Sequence, residues 1–280
     1  MNNAILEITI LSENTVGGTQ GLIGEWGLSM LVEAAGRKIL FDTGGRGSLV
    51  PNASALGLDL KLVDALVLSH GHYDHTGGMQ SFLRLRGKTQ IYAHSKIFAG
   101  HYSSPEQPRY IGVPYTREEL ESLGAEFILL DEPREIYPGV WVSGEIPRVT
   151  DFEKVEERLF CLEGNKKIIP DPFQDDMSLF CVIHNSLVIV LGCAHAGLVN
   201  IVEHARNVTG INKVYGIIGG THLGPASDIQ QEATIAFLQS LDLQFLAANH
   251  CTGLPMITRL ANIFGSRFHF APTGASFIFS

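Results

Sequence analysis

Ser69-His70-Gly71-His72-Tyr73-Asp74-His75-Thr76-Gly77-Gly78 is the stretch whose reading decides the fold. Four potential metal ligands, His70, His72, Asp74 and His75, fall within it. They follow Ala65–Ser69 (ALVLS), a short apolar run of the kind expected for a strand buried on both faces. In extended chain His70 and His72 project to the same side. A turn into helix then aims Asp74 and His75 at a neighbouring point, and Gly71, Gly77 and Gly78 permit the backbone geometry this needs. One imidazole pair and one Asp/His pair could so hold two metals about 3.5–4 Å apart. The plain alternative is a polar loop at a strand end, which would bury three imidazoles and a carboxylate together at high cost.

Outward from this stretch, strands are expected at Ile5–Ile10, Leu28–Glu33 and Arg37–Asp42, the last two forming a hairpin across Ala34-Ala35-Gly36. Met79–Arg86 reads as a helix and Gln90–Ala93 as a strand. Thr116–Leu123 reads as a short helix, with Thr116 and Glu119 spaced as a capping box. Strands follow at Glu126–Leu130, Val140–Ser143, Met177–Ile183 and Ser186–Leu191, with His184-Asn185 as the turn between the last two. Helices at Leu198–Asn207, Ile229–Leu241 and Met256–Phe264 then alternate with strands at Val214–Ile218 and Leu243–Ala247. Segments 95–120 and 145–176 lack clear periodicity and read as lid or insert segments. Both halves begin strand-rich and then acquire helices, and two sheets packed face to face with helices outside satisfy that pattern.

Composition bounds the function. A hydrophobic share of 45% over 280 residues supports a proper core, and four cysteines are too sparse for a disulfide scaffold. No apolar run is long enough to span a bilayer, and MNNAILEITI has neither a basic n-region nor a small-residue cleavage site. A cytoplasmic location without a membrane partner is therefore expected. The formal net charge of −9 argues against nucleic acid and points to a small-molecule substrate. A homodimer is left open. Eleven histidines exceed what a core needs.

The string His70-x-His72-x-Asp74-His75, with Asp42-Thr43-Gly44 closing an earlier strand, resembles the signature of the metallo-β-lactamase superfamily. The similarity runs across most of the chain. It is closest to a group of metal-dependent hydrolases sharing Glu25-x-Gly27-Leu28-Ser29, Gly192-Cys193-Ala194-His195, Gly219-Gly220-Thr221-His222-Leu223 and His250-Cys251-Thr252-Gly253. An archaeal branch of that group makes a dihydropterin–ribofuranosylaminobenzene phosphate. The resemblance implies a single domain over 1–280 with a four-layer αββα sandwich. It also implies two divalent metal ions, Zn foremost, with Mn or Fe as alternatives.

His195, at a strand end among small residues, and His250, which matches the family's last metal histidine in position, are the expected ligands of the second half. The sequence departs from the family pattern twice. Gly192-Cys193 stands where a bridging aspartate follows a glycine, and Asp175-Asp176-Met177 stands where a metal histidine precedes a hairpin. The site is then completed by His195 in a rearranged position, by Asp176, or by the Cys193 thiolate. Asp42 is read as an outer partner that orients a ligand imidazole; a simple turn carboxylate is the alternative. Glu25 and Ser29 are polar residues that could hydrogen-bond in the pocket. Asp74 and His222 are the candidate catalytic groups, with an outer-partner or structural role as the alternative for His222. Arg109, Tyr110, His101 and Arg148 are candidate substrate contacts, Arg because it suits phosphate or carboxylate. Phe152, Phe160 and Phe173 could line a lid for a flat ring or simply pack it.

The function expected from this set is hydrolysis by metal-activated water, first on a small phosphate-bearing metabolite as in a phosphoesterase. Chemistry like that of the dihydropterin-phosphate synthase is the second expectation, and a non-catalytic metal- or ligand-binding protein the third. There is no G-x-S-x-G elbow, P-loop or dinucleotide fingerprint.

Overall fold

Alternation along the strands divides the apolar residues among three cores. In Ser186–Leu191, Val188 and Val190 face one core while Leu187, Ile189 and Leu191 face another. In Ala65–Val67, Ala65 and Val67 join that same first core and Leu66 turns to the third. The first core lies between two sheets. The other two lie between each sheet and its helices, through Met79, Phe82 and Leu83 on one side and Ile201, Val202, Leu238 and Leu260 on the other. Three cores separate four layers, so the chain is an αββα sandwich. The computed structural model describes residues 6–18, 21–163 and 167–280. Ile5, at the edge of the expected first strand, and 164–166, within the second irregular segment, lie outside them.

The first sheet has seven strands in the spatial order Ser276–Phe279, Leu6–Ser12, Ser29–Ala34, Arg37–Phe41, Ala65–Val67, Thr89–Ala93 and Ala125–Leu129. The second has six, in the order Phe245–Asn249, Val214–Gly220, Ser186–Leu191, Ser178–Ile183, Val140–Val142 and Arg134–Tyr137. Each sheet contains a parallel run. The carboxyl ends of parallel strands are where open α/β sheets place their ligands. Here those ends carry Asp42, Ser69–His75, Cys193–His195, Thr221-His222 and His250-Cys251.

Local chemistry explains the connections. Ala35 and Gly36 have φ of 52° and 71°, and His184 and Asn185 have 43° and 59°, the left-handed pairs that tight hairpin turns demand. Arg117–Ser122 forms one residue shorter at each end than expected, with the Thr116/Glu119 capping box in place. Met79–Arg86 forms with the expected bounds. Among the described residues no helix is long and apolar enough to cross a membrane.

The two irregular segments pair with each other. Lys167–Pro170, Leu159–Glu163, His101–Ser103 and Arg109–Tyr110 form a four-stranded antiparallel sheet in that order. Strands of two to five residues are too short to print a period on the sequence, which is why these segments looked structureless.

The glycines at the end of the motif let backbones meet. A Cβ on Gly77 would sit 1.5 Å from the Gly45 carbonyl oxygen, whereas one on Gly36 meets nothing within 4 Å. Gly77→Ala should therefore cost about 4 kcal/mol or more, the range of severe steric lesions. Gly36→Ala should cost only the left-handed penalty, about 1–2 kcal/mol. Urea unfolding of the two variants checks the ordering.

Candidate metal centre

Asp42 leaves its strand with φ 60° and is fully buried. One carboxylate oxygen accepts from the Ser69 amide at 2.7 Å, and the other from Ser69 Oγ at 2.6 Å and His75 Nδ1 at 2.7 Å. The hydrogen-bond network then assigns the tautomers. The Ser69 hydroxyl proton goes to Asp42, so Oγ accepts from His70 Nδ1 at 2.9 Å. The Asn14 side-chain oxygen accepts from His250 Nδ1 at 2.9 Å. This leaves Nε2 as the lone-pair nitrogen in all three rings, facing His72 Nδ1 at 3.0 Å in His70, the Cys193 sulfur at 3.1 Å in His75 and Asp74 at 3.4 Å in His250.

These atoms converge on two neighbouring points. Ligand atoms of His70, His72 and His195 all lie within 4.8 Å of one another, and so do those of Asp74, His75 and His250. The Cys193 sulfur forms equally compact groups with His70 and His75 and with His250 and Cys251, so it lies between the two trios. It is 3.1 Å from His75 Nε2. Nε2 of His72, His195 and His250 are buried without a hydrogen-bond partner. Burial, and then the neighbouring imidazoles, hold His70 and His195 well below the ordinary histidine range. Burial and His101 bring His72 to about 3. Burial works to raise Asp74, but the imidazoles beside it, His250 foremost at 3.4 Å, carry it below the carboxylate range. Three imidazoles held neutral, those of His70, His72 and His195, with an ionised carboxylate and orphaned nitrogens, are a donor set that fits divalent cations.

His72, Asp74, His195 and His250 of the two trios line a cavity of about 560 Å³, together with Trp26, Tyr73, Arg109, Glu156, Arg158, His222 and Cys251. His222, at φ 50°, lies against His195 with ring centroids 4.3 Å apart and planes tilted by 48°, and places Nδ1 3.4 Å from Glu156. Burial, His250 and Arg158 lower it to about 4, so it faces the cavity as a neutral imidazole.

Several expected site residues turn out differently. His101 does not line this cavity: it is buried, with Nδ1 2.6 Å from Asp171 and Nε2 3.2 Å from Asp175. Arg148 turns inward and donates to backbone carbonyls, foremost that of His195 at 2.7 Å. Tyr110 donates to the Val113 carbonyl instead of reaching the cavity, and of the four expected substrate contacts Arg109 alone lines it. Asp176 is outside the donor groups: one oxygen accepts from the Ala196 amide at 2.7 Å. Burial raises its carboxyl to about 7. Glu25 grips the amides of Gly45, Arg46 and Gly47, and Ser29 donates to the Asp42 carbonyl, so both hold backbone instead of pocket. Phe160 packs in the interior and Phe173 stacks on His195. Sequence reasoning missed Asn14, Asp171 and Asp175, whose partners lie far along the chain. For Asp175 the acidic pair 175–176 before a strand was the visible signal.

Residues 27–149 match the family model described as metallo-beta-lactamase superfamily. The chain is 32% identical over 259 residues to 7,8-dihydropterin-6-methyl-4-(beta-D-ribofuranosyl)-aminobenzene-5'-phosphate synthase of Methanocaldococcus jannaschii, covering 89% of this chain and 88% of that protein. The chain belongs to the metallo-beta-lactamase superfamily. An uncharacterized protein of the same archaeon is 30% identical over 259 residues, covering 91% of this chain and 94% of its own length. A solved superfamily structure, titled a metal-dependent hydrolase, superposes with a TM-score of 0.83 at 25% identity, covering 97% and 98% of the two chains. Members of this superfamily usually bind divalent metal ions.

His101 supplies a pH test. Burial alone would lower it, but the Asp175 charge and hydrogen bonds to Asp171 and Asp175 raise it to about 10. A raised imidazole stabilises the fold in full below its ordinary 6.5 and ceases to do so as pH climbs through about 10. The stability gap between the wild type and His101→Gln, read by urea unfolding of chelator-treated protein, should narrow across that window. A constant gap would remove the charged assignment.

Proposed function

We propose that the protein is a metal-dependent hydrolase acting on a small, phosphate-bearing metabolite. The observation that carries this reading is the pair of neighbouring donor trios, each of which presents two of its residues to one cavity. His70, His72 and His195 would hold one divalent ion, and Asp74, His75 and His250 the other. Two such ions, when bound, supply Lewis acidity and an activated water. The chain's own residues do the rest. Asp42, Ser69 and Asn14 fix the tautomers that keep the lone pairs aimed inward. His222 offers the cavity one N–H and one lone pair beside Glu156, an arrangement able to pass a proton to or from a substrate oxygen. Arg109 and Arg158 line the cavity and are suited to a phosphate. Asp74 is ionised and serves as a ligand first, so its catalytic role is to hold charge at the centre.

Identity of 32% with the archaeal synthase favours a second reading, in which the substrate is of the dihydropterin and ribosyl phosphate type and a bond is formed instead of hydrolysed. Protein purified without added metal should contain close to two divalent ions per chain by elemental analysis. His72→Ala should lose one of them and at least about 100-fold of turnover. Activity across phosphomonoesters, phosphodiesters, lactones and thioesters separates hydrolysis from synthesis. Retention of a metabolite without its consumption would instead identify a binding protein.

A further inference from the structure

Two sets of outer residues divide the centre between them. Asp74, His75 and His250 are held from the first-sheet side. Asp42 takes His75, Asn14 takes His250 Nδ1, and Glu13 accepts from the His250 amide at 2.8 Å. Among the described residues, none of these reaches His72 or His195. Those two are met by a different piece of chain, Asp171-Pro172-Phe173-Gln174-Asp175-Asp176, which enters from the small four-stranded sheet.

We propose that this six-residue segment is the positioning device for the three-histidine half of the centre. The proposal rests on the metal-centre reading above. Each contact lands on a residue of that half or on its immediate neighbour. Asp175 Oδ2 accepts from the Gly71 amide at 2.7 Å, between His70 and His72. The Phe173 ring lies flat on His195 at 4.0 Å and 6°, and edge-on to His72 at 5.4 Å and 90°. Asp176 accepts from the Ala196 amide, next to His195. The Met177 amide, just beyond the segment, donates to the Ser69 carbonyl at 2.7 Å.

The segment is itself fastened. His101, from the small sheet, bridges Asp171 and Asp175, and the remaining Asp171 oxygen accepts from the Phe173 amide at 2.9 Å. Arg148 joins the Pro172 and His195 carbonyls. Phe173 is held at φ 49°, a conformation a bulky side chain adopts only when its surroundings over-determine it. Gly71 answers the close approach from the other side: a Cβ there would meet the Ile97 carbonyl oxygen at 2.4 Å and His101 Nε2 at 3.0 Å.

The probe is zinc alone, titrated into chelator-stripped full-length protein against a chromophoric chelator. His195→Ala and His250→Ala serve as references that assign each binding step to one trio. In Asp175→Asn and, independently, Phe173→Leu, affinity for the three-histidine step should fall about 10–100-fold, the usual cost of an outer partner. The other step should not move. Asn14→Ala, which removes only the partner of His250, should show the opposite pattern. If both steps are unaltered in Asp175→Asn and Phe173→Leu, or both weaken equally, the proposal is overturned while the metal-centre reading stands. A wild-type protein that takes up no zinc overturns both.

Discussion

Seven buried or half-buried imidazoles, those of His70, His72, His75, His101, His195, His222 and His250, crowd into one region, with ring centroids 4.2–5.2 Å apart in seven of the pairings. Placed so, they cannot all be charged, because burial and mutual repulsion both oppose the protonated form. They cannot all satisfy one another as neutral rings either, since each offers one donor and one acceptor. The surrounding structure answers that constraint. Nδ1 of His70, His75, His101 and His250 is met by a hydroxyl, carboxylate or amide oxygen, and the sheets are arranged so that those oxygens arrive at the required places.

Asp42 shows how tightly the arrangement is coupled to the fold. Its carboxylate spans the ends of two adjacent parallel strands, taking both the Ser69 amide and hydroxyl and the His75 ring. The left-handed backbone at Asp42 costs about 1–2 kcal/mol. It turns the side chain across the sheet edge instead of along it. Removing one partner would leave buried groups unpaired, each costing about 1–3 kcal/mol. Sheet packing and ligand orientation are therefore the same set of bonds at this point.

Sequence legibility follows the range of the interactions. The hairpins, the capping box, the helix Met79–Arg86 and the motif from His70 to His75 rest on residues close in the chain, and their signals are periodic or local. Asp42 was legible through the resemblance, whose companion motif Asp42-Thr43-Gly44 closes a strand, although a simple turn carboxylate fitted the same string. Asp175 was not, because its partners, Gly71 and His101, are 104 and 74 residues away. His101 and Arg148 were read as substrate contacts from residue type alone. Their inward orientation is decided by buried acids and carbonyls contributed by distant segments. The small sheet escaped notice because segments 95–120 and 145–176 pair with each other through strands shorter than any detectable period.

The distribution of carboxylates gives the two halves of the centre different electrostatic characters. Asp74 contributes its negative charge directly beside His75 and His250. Near His70, His72 and His195 the acids are instead engaged elsewhere. Asp171 and Asp175 are paired with His101, and Asp176 caps the Ala196 amide. That trio is a neutral donor set, which offsets none of a divalent cation's charge, whereas its neighbour offsets one unit. A neutral set also lacks the long-range attraction that would draw a cation in and orient loosely held ligands around it. Its geometry must be supplied beforehand by packing and hydrogen bonds. That explains why the segment Asp171–Asp176 grips backbone and ring faces, while the half that contains Asp74 is secured by only a few polar contacts.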